Sequence, residues 1–85
     1  MINDIFLDIL PKIDLHGYDR ESARVAVLDF VLENKILNNK QFIIIHGIGN
    51  GIVKDAVHQT LNKSKDVLEF KVVSNNLGCT IVKIK

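Results

Sequence analysis

Cysteine and proline each occur once in the 85 residues, tryptophan is absent, and aromatic side chains make up 6%. A lone cysteine, Cys79, excludes an internal disulfide framework and a cysteine-built zinc cage, and points to a reducing compartment. The first residues, Met1-Ile2-Asn3-Asp4-Ile5-Phe6-Leu7-Asp8, carry no basic run, so they do not read as a signal or transit peptide. No apolar stretch is long enough to span a bilayer. Low-complexity tracts are missing too. These absences lead us to expect a cytoplasmic, soluble, single-domain protein with no membrane partner.

Charge of one sign is also lacking: 11 basic side chains stand against 10 acidic ones. The distribution is less even. Residues 1–39 hold four basic and seven acidic side chains, whereas residues 40–85 hold seven and three. A basic second half can offer phosphates a favourable local field; lysines kept on an exposed face for solubility would look the same. An apolar fraction of 47% with 25% charged residues fits one folded domain with a real core.

Pro11 separates an N-terminal appendage, residues 1–11, from a domain over residues 12–85. Within the appendage, Ile2, Ile5, Phe6 and Ile9 could line one side of a helix over 3–10, suited to covering an edge or face of the core. Beyond it the pattern is strand, helix, strand, helix, strand, strand. Lys12 to His16 alternates as a strand with one apolar face. Asp19 is a good helix N-cap and Glu21 an acid in the first turn. The helix should run to about Leu37, with Ala23, Ala26, Val27, Phe30 and Leu37 on one stripe. Val25, Leu28, Leu32 and Ile36 form a second stripe, free to meet the appendage or a second subunit, so a homodimer is among the readings. Gln41 to His46 is a continuous apolar run, as for a strand covered on both faces. A helix follows over Ile52 to about Asn62. Leu68 to Val73 and Thr80 to Ile84 form an antiparallel pair around a hairpin loop, Ser74 to Gly78. Two successive strand–helix units make the first three strands parallel.

Both units end their strands in His-Gly, at the sheet end where open α/β proteins bind ligands. Asp14 and His16 leave one face of their strand together, and a carboxylate beside an imidazole orients the ring for acid–base work or phosphate binding. An ordinary polar strand face would carry the same two residues. His46-Gly47-Ile48-Gly49-Asn50-Gly51 enters a helix whose free amides and dipole favour an anion, with Lys54 adding positive charge. The spacing matches neither dinucleotide nor mononucleotide loops. His58 lies among polar neighbours and reads as exposed; Cys79 reads as a small buried residue. The histidines lack metal-ligand spacing, so no metal ligands are assigned. The arrangement requires His16 and His46 to emerge side by side at one rim.

Taken in order, Ile13-Asp14-Leu15-His16-Gly17, then Ile44-Ile45-His46-Gly47-Ile48-Gly49-Asn50-Gly51, then Gly78-Cys79-Thr80-Ile81-Val82 resemble the signatures of the Smr (small MutS-related) domain, over residues 12–85. The resemblance implies a two-layer β-α-β-α-β-β sandwich with both helices on one face of a mixed four-stranded sheet, similar to the C-terminal domain of the third bacterial translation initiation factor. It implies nucleic-acid binding and, in many members, endonuclease activity on RNA or DNA. Carried over, Asp14 and His16 would be the catalytic pair, and His46, Gly47 and Gly49 would form the backbone-gripping loop. Together with the reading of the residues, this gives Asp14, His16 and His46 as the expected catalytic groups and Gly47, Gly49, Asn50, Gly51 and Lys54 as the expected contacts to the nucleic-acid backbone. Such domains occur alone or at the end of larger proteins, including MutS paralogues associated with ribosome rescue. Many members carry a longer glycine-rich loop before the last strand, where this chain has the compact Val73 to Gly78.

The leading expectation is therefore an endonuclease cleaving phosphodiester bonds, of RNA more than DNA. It leaves room for a divalent cation such as magnesium or manganese without requiring one. A non-catalytic module docking on RNA or the ribosome is the alternative. A protein-interaction domain using the second apolar stripe is the third.

Overall fold

Local chemistry starts the first helix where alternation stops the first strand. In the computed structural model, which describes residues 9–85, β1 is Lys12–Asp14. The Asp19 carboxylate accepts the Ser22 N–H at 2.7 Å, opening α1 (Arg20–Ile36). Glu21 in the first turn and Lys35 in the last suit the helix dipole. At the far end Asn34 is buried, donating to the Phe30 carbonyl and accepting from the Asn39 side chain, which closes the corner into β2 (Gln41–Ile45). The remaining elements are α2 (Ile52–Lys63), β3 (Val67–Val73) and β4 (Asn76–Ile84).

The sheet order is β1-β2-β4-β3. β1 and β2 are parallel, and β4 runs antiparallel to both β2 and β3. The first three strands thus share a direction, as expected, and the last strand lies between the second and third. Both helices pack on one face. Ala23, Val27 and Val31 of α1 and Ala56, Val57 and Leu61 of α2 meet Phe42, Ile44, Val82 and Ile84 from the sheet. Phe30 meets Phe42 edge to face, centroids 5.0 Å apart, a geometry that suits the ring quadrupoles. On the other face Ile43, Val73 and Ile81 form a smaller cluster against which Leu10 packs. β2 is therefore covered on both sides, as its unbroken apolar run implied.

Three expectations shift. Val31, not Leu37, completes the buried stripe of α1: Leu37 is the C-cap, past the last turn, and stays exposed. The second stripe (Val25, Leu28, Leu32, Ile36) is exposed among the described residues. The hairpin is tighter than a Ser74 to Gly78 loop, because Val73 already pairs with Asn76 and β4 begins there. Gly78 sits inside that strand, where an added Cβ would lie 3.4 Å from the Gly47 backbone, so close backbone approach rather than turning explains it. The expected N-terminal helix over 3–10 lies outside the described residues except for Ile9 and Leu10.

Candidate functional site

At the carboxyl ends of β1 and β2, a groove of about 750 Å³ is lined by the segments following both strands, from His16 to Arg20 and from Ile45 to Lys54. Its first wall comes from alternation. Ile13 and Leu15 join the helix-side core, so Asp14 leaves the opposite face. One Asp14 oxygen accepts both the His16 backbone N–H at 3.1 Å and the His16 ring Nδ1 at 2.6 Å. A carboxylate only accepts, so Nδ1 carries the hydrogen and Nε2 is left facing solvent. The His16 side chain is 73% exposed. The hydrogen bond to the ring, then the one to the backbone, hold the Asp14 carboxyl below the usual carboxylate range, so it remains an oriented anion.

The second wall is backbone. Gly47 takes φ +83°, and the Gly78 carbonyl accepts both the His46 and Gly47 N–H groups, at 2.9 and 3.0 Å. This ties the loop base to β4. Beyond it, the amides of Ile48, Gly49 and Asn50 have no partner among the described residues. Gly51, at φ +86°, is the N-cap of α2 and supplies no side-chain cap; Asn50 instead accepts the Ile52 N–H at 3.1 Å. The first bond within the helix runs from Asp55 N–H to the Gly51 carbonyl, so the Val53 and Lys54 amides precede it and stay free. Free amides, the positive end of the helix dipole and the exposed Lys54 all favour an anion here. Arg20 crosses the rim to Asp55 at 2.8 Å, joining the two helix starts. Tyr18, Ile48 and Ile52, all exposed, line the same groove.

The two imidazoles do not emerge as a pair. His46 follows Phe42 and Ile44 onto the helix side of the sheet and is only 3% exposed. Both its nitrogens are occupied, Nδ1 with the Gly47 carbonyl at 2.9 Å and Nε2 with Thr80 Oγ1 at 2.8 Å. It therefore has no free nitrogen to present to a ligand. His58, expected at the surface, is half-buried; its Nε2 lies 2.8 Å from the same Thr80 hydroxyl and its ring packs against His46 and Phe70. Burial first, then the neighbouring His46 and Lys54, push the His58 imidazole below its ordinary value. Sequence reasoning missed Thr80 and His58. The step-of-two pattern Phe42, Ile44, His46 was the available signal that His46 turns under the helices; nothing local announces His58.

Among the described residues no three His, Cys, Asp or Glu side chains converge as a metal site. Burial pushes the half-buried Cys79 thiol up, which makes it a poor nucleophile. No helix among the described residues is long and apolar enough to cross a membrane.

The Smr domain family matches residues 13–85. Endonuclease MutS2 of Streptococcus mutans serotype c is 40% identical over 78 residues, covering 87% of this chain and 10% of the relative. Endonuclease MutS2 of Streptococcus suis is 34% identical over 77 residues, with the same coverage of each. The chain thus spans about a tenth of the length of the curated relatives it matches. Among solved structures, the Smr domain of Thermus thermophilus MutS2 superposes with a TM-score of 0.86 at 24% identity, covering 89% of this chain and 99% of that one. YdaL, a stand-alone small MutS-related protein from Escherichia coli, gives 0.81 at 22% identity, covering 87% and 63%. At these identities what the two structures share with this chain is the fold.

Proposed function

The chain belongs to the Smr domain family, and from that premise we propose that it binds nucleic acid and cleaves its phosphodiester backbone, RNA in preference to DNA. One observation carries this reading: a single groove holds an aspartate-oriented imidazole with Nε2 free and a set of unpartnered amides at a helix start. A backbone phosphate fits the free amides of the loop and of Val53 and Lys54, with the Lys54 ammonium compensating its charge. His16 Nε2 then takes the proton of the neighbouring 2′-hydroxyl, and the 2′-oxygen attacks phosphorus. The bond to the 5′-oxygen breaks, and that oxygen leaves with a proton from water. Asp14 steadies the imidazolium that forms. RNA suits a site with one exposed imidazole because it brings its own nucleophile. Tyr18, Ile48 and Ile52 offer apolar surface against which unpaired bases can lie. The streptococcal relatives' name, endonuclease, agrees with this assignment. His46, sealed by its partners, is a positioning residue here rather than a proton carrier.

A second reading, a binding module that docks on RNA such as that of the ribosome without cutting it, draws support from the same sealed ring, because no second imidazole stands ready to protonate the leaving oxygen. Incubating purified protein with end-labelled single-stranded RNA and DNA, with and without chelator, separates the two. RNA cleavage that disappears in His16→Ala and Asp14→Ala supports the nuclease. Cleavage undiminished in both would belong to a contaminant. Salt-sensitive binding without cleavage, lost in Lys54→Glu yet kept in Asp14→Ala, would establish the module.

A further inference from the structure

We propose that Thr80 and His58 are positioning residues that hold the His46 ring at its buried nitrogen and, through that ring, the Gly47 carbonyl at the base of the loop. The distances leave one consistent pattern of donors. The Gly47 carbonyl can only accept, so His46 Nδ1, 2.9 Å away, carries a hydrogen. In the neutral ring Nε2 is then a lone pair, and Thr80 Oγ1, at 2.8 Å, must donate to it. A hydroxyl has one hydrogen. Having spent it on His46, Thr80 can only accept from its other neighbour, so His58 Nε2, also at 2.8 Å, must be protonated. The two rings therefore hold opposite tautomers, set by one oxygen between them.

The order of the chain gives it a function. Thr80 is fully buried and His46 nearly so, leaving no water-exposed route by which either could find another partner. His58 is held by the ring contacts with His46 and Phe70, whose centroids lie 5.8 and 5.0 Å away. At the other end, the His46 N–H pins the carbonyl of Gly47, whose own N–H is already bound to Gly78. A peptide plane fixed on the carbonyl side fixes its own N–H as well. The Ile48 N–H belongs to that same peptide and so points away from the carbonyl. A strand residue (Thr80) and a helix residue (His58) thus act on the groove without lining it.

The consequence for ligand binding rests on the nucleic-acid reading above; the tautomer pattern does not. The test uses the ¹⁵N-labelled full chain at about pH 8, above the ordinary titration range of imidazole. Two-bond ¹H–¹⁵N spectra distinguish the tautomers. The expected wild-type spectrum shows His46 as Nδ1–H and His58 as Nε2–H. In Thr80→Val, His58 loses its preference and His46 loses its Nε2 acceptor signature, while Thr80→Ser restores both. Affinity for a short single-stranded RNA falls about tenfold in Thr80→Val, the size of one lost buried hydrogen bond, and returns in Thr80→Ser. A wild-type spectrum with either tautomer reversed overturns the proposal without any variant, so an unfolded Thr80→Val does not shield it. A folded Thr80→Val in which His58 keeps its Nε2–H tautomer and His46 keeps its Nε2 acceptor signature overturns it as well. A lost His46 acceptor signature with RNA affinity intact overturns the link to the loop. Tautomers as expected in a protein that binds no RNA leave the lock standing and sink the nucleic-acid reading instead.

Discussion

Gly47 and Gly51 form a matched pair that separates backbone strain from a push on the site. Both adopt left-handed φ, +83° and +86°, so an alanine at either costs about 1–2 kcal/mol in conformational strain. For a domain of this size that lowers Tm by about 4–16 °C. They differ in what the new methyl meets. At Gly51 nothing lies within 4 Å, whereas at Gly47 the Cβ would stand 3.2 Å from the Cβ of His16, close enough that the neighbour must give by a few tenths of an ångström. His16 is held to Asp14 by a 2.6 Å bond, and that is what gives way. Calorimetry should therefore find Gly47→Ala at least as destabilised as Gly51→Ala. The downfield His16 Nδ1 proton in the NMR spectrum should move in Gly47→Ala alone. If misplacing a catalytic group by about 1 Å costs about 10²-fold, a shift of a few tenths should slow RNA cleavage by Gly47→Ala several-fold. Equal melting temperatures with an unmoved His16 resonance in both variants would refute the steric coupling.

Other outcomes follow from the same geometry. His58 is held below its ordinary value, so the unfolded chain binds its proton more readily than the folded one; stability is then full above about pH 6.5 and declines as pH falls below it. Thermal melts of the wild type should lose Tm between about pH 6.5 and 5 more steeply than those of His58→Phe. Asp19→Ala removes the carboxylate that caps α1 at Ser22 and should lower Tm measurably in thermal melts. That cap also lowers the Asp19 pKa, so its contribution is present above about pH 4 and lost below, and the difference between Asp19→Ala and wild type should shrink in acid. Tyr18 is the one tyrosine in a chain without tryptophan. Its emission should be quenched by single-stranded RNA and much less by an abasic strand of equal charge, if bases lie against it.

Legibility varied with how local the cause was. The start of α1 was readable because Asp19 satisfies an amide three residues away, and β2 because burial on both faces leaves a continuous apolar run. Asp14 and His16 were readable as a pair because a step of two is all that joins them. The place of β4 was not, because its partners on both sides are set by long-range pairing that no local pattern encodes. The same gap hid the tie from Gly78 to Gly47 and the bond from Thr80 to His46. His58 failed for a different reason: it sits at the flank of the buried stripe of α2, beside Val57, where burial depends on how closely β3 brings Phe70. The expectation of two paired imidazoles fell to alternation itself, since Asp14 and His46 leave opposite faces of the sheet.

The interior position of β4 also governs how this chain can assemble. Until Asn76 to Ile84 is in place, β3 has no neighbour and the β1–β2 pair has an open edge, so the earlier elements make two fragments rather than part of a sheet. Folding must wait for distant segments of chain to meet, and loop closure rather than helix formation should limit its rate. Ribosome-bound chains halted before Asn76 should accordingly remain open to protease, however well their helices are capped.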